Sequence, residues 1–146
     1  MPYRVQTRTV DSPDALATEM LTYYDGPDFE GLPLGKVQVG LTMRVQERET
    51  AERLITRGRN RYDVHGNLLE TVDGRGFATL FGYDDRDLLI TSELLTGFEG
   101  PDGAYGLRKE VSYHPVLELV TSGSNWLRVR DGTVLSSRAT TTFSYS

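Results

Sequence analysis

The chain has 146 residues, with 16 Lys and Arg against 21 Asp and Glu and a formal net charge of −5. That balance gives no general attraction to nucleic acid or to anionic membranes. Hydrophobic residues make up only 38% and there are 15 glycines, the profile of a turn-rich β protein rather than a helix bundle. The absence of cysteine excludes disulfides, thiolate metal ligands and cysteine nucleophiles together.

In chain order, Met1 to Val10 alternates polar and apolar residues and lacks the apolar core of a signal peptide. No later run is long and apolar enough to span a bilayer. Ser12-Pro13 carries a helix-start signal, predicting a short helix through Met20 or Leu21. Pro27, Pro33 and Gly35 mark a loop. Val37, Val39, Leu41, Met43 and Val45 then alternate with Gln38, Thr42, Arg44 and Gln46, the pattern of a strand with one wet side. Glu47 to Arg57 puts Ala51, Leu54 and Ile55 on one helical face before Gly58, although a bent strand explains the same residues. Glu47, Glu49 and Glu52 lie among Arg44, Arg48, Arg53 and Arg57, which reads as a solvated charged face rather than a catalytic carboxylate pair. Two further alternating faces follow, Phe77-Thr79-Phe81-Tyr83 and Tyr105-Leu107-Val111-Tyr113.

Turn chemistry agrees with an all-β antiparallel fold over a single domain, 1–146. Asp-Gly occurs at residues 25, 73, 102 and 131, and Asp131-Gly132 sits between two strand-like runs as a hairpin turn should. Arg138 to Tyr145 reads as a last strand.

The most telling pattern is Tyr62-Asp63-Val64-His65-Gly66-Asn67-Leu68. Tyr ends a strand with a ring over its neighbour and a hydroxyl that can stay wet. Asp63 accepts N–H groups in the turn. Gly66 supplies a positive φ, Asn67 tolerates one, and Leu68 re-enters the sheet. A looser copy, Tyr83-Asp84-Asp85-Arg86-Asp87-Leu88-Leu89, follows 21 residues later (83 − 62), with Asp87 at the glycine position. A third begins at Tyr113, where His114 replaces Asp. The turn residues Tyr62, Asp63, Gly66, Asn67, Tyr83 and Asp84 are thus structural. No catalytic, ligand-binding or metal residue and no cofactor is expected. Asp84, Asp85 and Asp87 lack the pattern of a calcium loop. His65 and His114 have no nucleophile partner.

These Tyr-Asp units resemble the Rhs/YD-repeat family. Tyr23 to Val37, followed by Gly40-Leu41-Thr42, is similar to a stretch ahead of the repeats in the B components of Tc insecticidal toxin complexes and their SpvB-like relatives. The resemblance implies β-sheets that wind into a hollow shell around a toxic polypeptide. It also implies a secreted complex, with other YD-repeat or Tc components and the enclosed polypeptide as partners. At this length the chain is expected to be a section of such a shell, with open sheet edges prone to self-association. The family's aspartyl autocleavage run is missing, so no self-cleavage is carried over. The alternative is a β binding module for a carbohydrate or a surface protein, with Trp126, Tyr105 and Tyr113 as an aromatic platform. An enzyme is not expected.

Overall fold

The computed structural model describes residues 5–7, 18–50 and 52–145. Every regular element among them is a β-strand, and the strand pairings are antiparallel. The chain falls into two compact units, Met1–Arg75 and Gly76–Ser146.

The first unit is a meander of β1 (Val5–Thr7), β2 (Thr18–Tyr24), β3 (Thr42–Arg48), β4 (Leu54–Tyr62) and β5 (Leu68–Asp73). Each strand pairs with the next. Its register sets opposite charges against one another. Glu19 lies across from Arg48 and Arg61 across from Glu70, and both couples form ion pairs. Arg57 is the extra residue where the β3–β4 register shifts, and it pairs with Glu47. Cross-strand couples of this kind stabilise the chosen register by a few tenths of a kcal/mol to about 1 kcal/mol each.

That charge pairing overturns the helix expected over Glu47 to Arg57. β3 runs to Arg48, a short turn is closed by bonds between Glu49, Thr50 and Arg53, and β4 starts at Leu54. Glu47, Arg48 and Arg57 find partners on neighbouring strands, and Gly58 continues β4 instead of capping a helix. Ala51 lies outside the described residues. The expected helix from Ser12 is also absent where it can be followed: Thr18 to Leu21 is strand, and residues 12–17 lie outside the described residues.

The second unit contains β6 (Ala78–Tyr83), β7 (Ile90–Phe98), β8 (Tyr105–Tyr113), β9 (Val120–Ser124), β10 (Leu127–Arg130), β11 (Thr133–Val134) and β12 (Thr140–Thr142). β6, β7 and β8 form a meander, and β8 then forks. Its first half pairs with β10 through Gly106 to Arg108, and its second half pairs with β9 through Val111 to Tyr113. β9 carries β12, so β9 and β12 form an arm attached through the end of β8. The β10–β11 hairpin turns on Asp131 and Gly132 with φ of 48° and 78°, the two positive values a type I′ turn requires. Rings of Phe77, Phe98 and Tyr105 follow one another at 5.6 and 5.5 Å, and the Arg128 guanidinium lies 4.0 Å from the Tyr105 ring centre.

Burial is shallow in both units. Among the described residues the buried hydrophobic ones are Leu21 and Met43 in the first, Leu127 and Val129 in the second. β5, β6 and β9 are half-buried at every position instead of alternating between covered and wet. A sheet lying on a packed core shows period-2 burial; uniform half-burial is the mark of a sheet with no thick layer against either face.

Candidate functional site

Four hairpins, β2–β3, β4–β5, β6–β7 and β8–β9, are closed by the same device. In each, a tyrosine ends the first strand at a shift of register: Tyr24 opposite Thr42, Tyr62 opposite Leu68, Tyr83 opposite Ile90, Tyr113 opposite Val120. The residue after the tyrosine donates its N–H to the carbonyl just before the next strand. These bonds are Asp25 to Leu41 (2.8 Å), Asp63 to Asn67 (3.0 Å), Asp84 to Leu89 (2.9 Å) and His114 to Leu119 (2.8 Å).

In the three aspartate copies the carboxylate closes the bond in the other direction. Asp25, Asp63 and Asp84 accept the N–H of Leu41, Asn67 and Leu89 at 2.9, 2.8 and 2.9 Å. Aspartate and pre-strand residue therefore hold each other by two hydrogen bonds of opposite sense, a bracket that fixes where the next strand begins. Remaining carboxylate capacity secures the turn: His65 N–H and the Asn67 amide on Asp63, Leu88 N–H and the Arg86 guanidinium on Asp84. Gly66 has φ of 89° and Asp87, at the same position in its copy, 56°. Asn67 is not left-handed as the sequence suggested; it serves as a double donor to Asp63.

The Asp25 bracket is the largest. Asp25 is 6% exposed, and its carboxylate accepts the consecutive N–H groups of Gln38, Val39, Gly40 and Leu41 at 2.7 to 3.1 Å. Burial pushes this carboxyl up, but the N–H groups of Gln38, Leu41, Gly40 and Val39 outweigh it and hold the group below the usual carboxylate range. The segment 37–41 is therefore a clamped loop, and β3 starts only at Thr42; Val37 and Val39 are exposed. The rest of the loop folds back on the unit. Leu32 N–H reaches the carbonyls of Tyr24 and Asp25, and Phe29 N–H reaches Asn60. Gly31, at φ of 78°, lies so close that a Cβ would fall 2.8 Å from Tyr23 Cβ.

Asp63 and Asp84 are held low in the same manner. For Asp63, desolvation pushes up and the bonds from Asn67 and His65 outweigh it. For Asp84, the N–H groups of Leu89 and Leu88 lead.

Two of the four tyrosine hydroxyls tie their hairpin to the one before. Tyr62 Oη donates to the Thr42 carbonyl at 3.1 Å, and Tyr113 Oη to the Ile90 carbonyl at 2.9 Å. Each target opens the strand after the previous bracket in the same unit. One residue type thus ends a strand and ties its hairpin to the one before.

In the second unit the brackets at Tyr83 and Tyr113 flank a cleft of about 370 Å³ lined by Asp84, Asp85, Arg86, Thr91, Tyr113 and His114 among others. Arg86 crosses it, bonded to Asp84 and to Glu118 at 3.2 and 2.9 Å, and both partners raise its already high pKa.

The six turn residues singled out in the sequence therefore fall in two brackets, one in each unit. Tyr62, Asp63, Gly66 and Asn67 share the first, and Tyr83 and Asp84 belong to the second. Tyr24-Asp25 was missed as a copy because its turn is so long. The aromatic platform is not assembled as expected: Tyr105 stacks on Phe98 and Tyr113 turns its hydroxyl to Ile90, while Trp126 is 41% exposed.

The fold and these brackets define an antiparallel β-repeat protein whose repeating unit is a tyrosine-ended, aspartate-closed hairpin. Comparison with known families agrees: residues 62–100, which begin at Tyr62, match the family model of the RHS repeat. The match supports a place among Rhs/YD-repeat proteins. No curated protein and no solved structure matches the chain. No helix among the described residues is long and apolar enough to cross a membrane.

Proposed function

We propose that the chain is a structural section of a secreted toxin-encapsulating shell of the Tc B-component or SpvB-like kind, where its sheet helps to wall off a toxic polypeptide. The observation that carries this reading is the pairing of half-burial along the whole of β5, β6 and β9 with one repeated closure. A sheet that keeps little of its own core, yet specifies every second turn with the same bracket, is suited to extension by further hairpins rather than to forming a closed globule. The RHS repeat match at 62–100 and the Tyr23 to Val37 stretch support the same lineage. In this reading the bracket residues are architectural, the chain does no chemistry of its own, and its partners are other shell components and the enclosed polypeptide.

The test is isolation of the native gene product through a tag at its own locus, followed by electron microscopy and proteolysis. A hollow particle holding a protease-resistant polypeptide is expected. A solid particle with nothing enclosed refutes the proposal.

Trp126, with 41% of its surface open, favours a second reading, a β module that binds a carbohydrate or a surface protein. A glycan array that gives signal with the native chain and loses it with Trp126→Ala supports that reading; a silent array removes the carbohydrate form of it.

A further inference from the structure

We propose that His114 makes the turn between β8 and β9 an acid-released latch, whose ring holds Val116 and Leu117 only while Nδ1 carries no proton. The three other brackets use a carboxylate as acceptor. Here the acceptor is an imidazole nitrogen: His114 Nδ1 takes the N–H groups of Val116 and Leu117 at 3.2 and 3.1 Å. A nitrogen that accepts two N–H groups carries no proton. Protonation turns it into a donor facing two donors, so the bonds to Val116 and Leu117 exist only with the neutral ring, while the backbone bonds from His114 N–H to Leu119 and from Glu118 N–H to His114 do not depend on it. Histidine is the side chain that changes charge between about pH 5 and 8, whereas the carboxylates of the sister brackets stay ionised throughout that range.

Charged groups from both turns share the cleft with the ring. Asp84, Asp85 and Arg86 from the β6–β7 turn line the same cleft, together with Tyr113. Glu118, on the latch's own turn, is held by Arg86. The sign follows directly: the latch holds with the neutral ring and releases when acid protonates it.

Release has a defined consequence. The arm joins β8 through the ladder at Val111, Ser112 and Tyr113, through Glu110 N–H on Ser124 Oγ and through the Arg138–Glu110 ion pair, none of which uses the ring. Release therefore loosens Val116 and Leu117 at the tip of the turn and leaves the arm in place. The inference stands apart from the shell reading, since it needs only the turn.

The experiment is amide hydrogen exchange by NMR on the full chain at pH 8.0 and 5.5, corrected for intrinsic exchange at each pH. Protection of Val116 and Leu117 is expected to fall about tenfold or more at the lower pH, the equivalent of about one lost hydrogen bond. Leu88 and Leu89, held by Asp84, should keep theirs. His114→Asp, which copies the sister brackets, should abolish the difference, and His65→Gln, at the other histidine, should leave it in place. Equal protection of Val116 and Leu117 at both pH values overturns the proposal, as does a pH response that survives in His114→Asp.

Discussion

Replacing Asp25 by Asn changes one atom type in a side chain that anchors a whole loop. Asn keeps the left-handed backbone that Asp25 adopts at φ of 51°, so the change isolates the carboxylate. Oδ2 accepts Gln38 and Val39, Oδ1 accepts Leu41, and Gly40 lies between them. An amide offers one oxygen, and its NH2 group must then face N–H groups on the other side. About two charge-assisted bonds are lost, at about 1.5–3 kcal/mol each. Gln38, Val39 and Gly40 are exposed, so water takes up their freed N–H groups and the cost settles near about 3 kcal/mol. Against a typical total of about 5–15 kcal/mol that is a large share. Urea unfolding of the first unit at pH 7, followed by far-UV circular dichroism, should show it, with loss of exchange protection at residues 38–41 as the local readout. Acid supplies a second arm. The folded carboxyl lies below its unfolded value, so its contribution is complete above about pH 4 and is lost as pH falls through the folded value. The gap between wild type and variant should therefore close in acid. A variant within about 0.5 kcal/mol of wild type at pH 7, the scatter expected of an ordinary surface change, would refute the account of the bracket.

Gly66→Val should destabilise by about 1–3 kcal/mol through backbone strain alone, because φ is 89° and the nearest atom a Cβ would meet is a Leu41 methyl at 3.8 Å; Gly66→Asn should recover part of the loss in the same denaturation assay. Tyr62→Phe removes the bond to Thr42 and should cost about 0.5–1.5 kcal/mol, nearer the lower figure because Asn60 Nδ2 still donates to that carbonyl. Leu127→Ala, at a fully buried position, should cost about 2–5 kcal/mol, read as a lowered thermal midpoint of the second unit. Lys substituted for Thr141 in β12, on the arm's edge, should reduce concentration-dependent light scattering if open edges drive self-association; scattering that is unchanged would locate that association elsewhere.

The sequence made the antiparallel strands legible because Tyr, Val and Leu recur at period two, and because Asp-Gly and Tyr-Asp punctuate them. Asp131-Gly132 behaved as its dihedral needs predict. Two segments misled for physical reasons. Glu47 to Arg57 has helical spacing, but local spacing is silent on partners contributed by other strands, and it was Glu19 on β2 and the Glu47–Arg57 couple across β3 and β4 that decided the matter. Val37 to Leu41 alternates like a strand, yet its backbone N–H groups are consumed by a carboxylate more than ten residues away in the chain, which no period reveals. The bracket at Tyr24 carried the right dipeptide, hidden by the length of the loop it closes. That the hydroxyls of Tyr62 and Tyr113 bond to the preceding hairpin was not legible, because a strand-end tyrosine shows its partner only once the neighbouring hairpin is in place.

Those hydroxyls also give the sheet a direction. Tyr62 reaches the strand after the first bracket, and Tyr113 the strand after the third. Each bond is made by the later hairpin onto the earlier, so every receptor carbonyl leaves the ribosome before its tyrosine does. Within each unit a hairpin can close as soon as it is synthesised and then serve as the template for its successor. Such a sheet can be laid down as it is translated, course upon course, with few strands waiting unpaired for a distant partner. For a protein that keeps so little core, growth in the order of synthesis limits the time its edges stay bare.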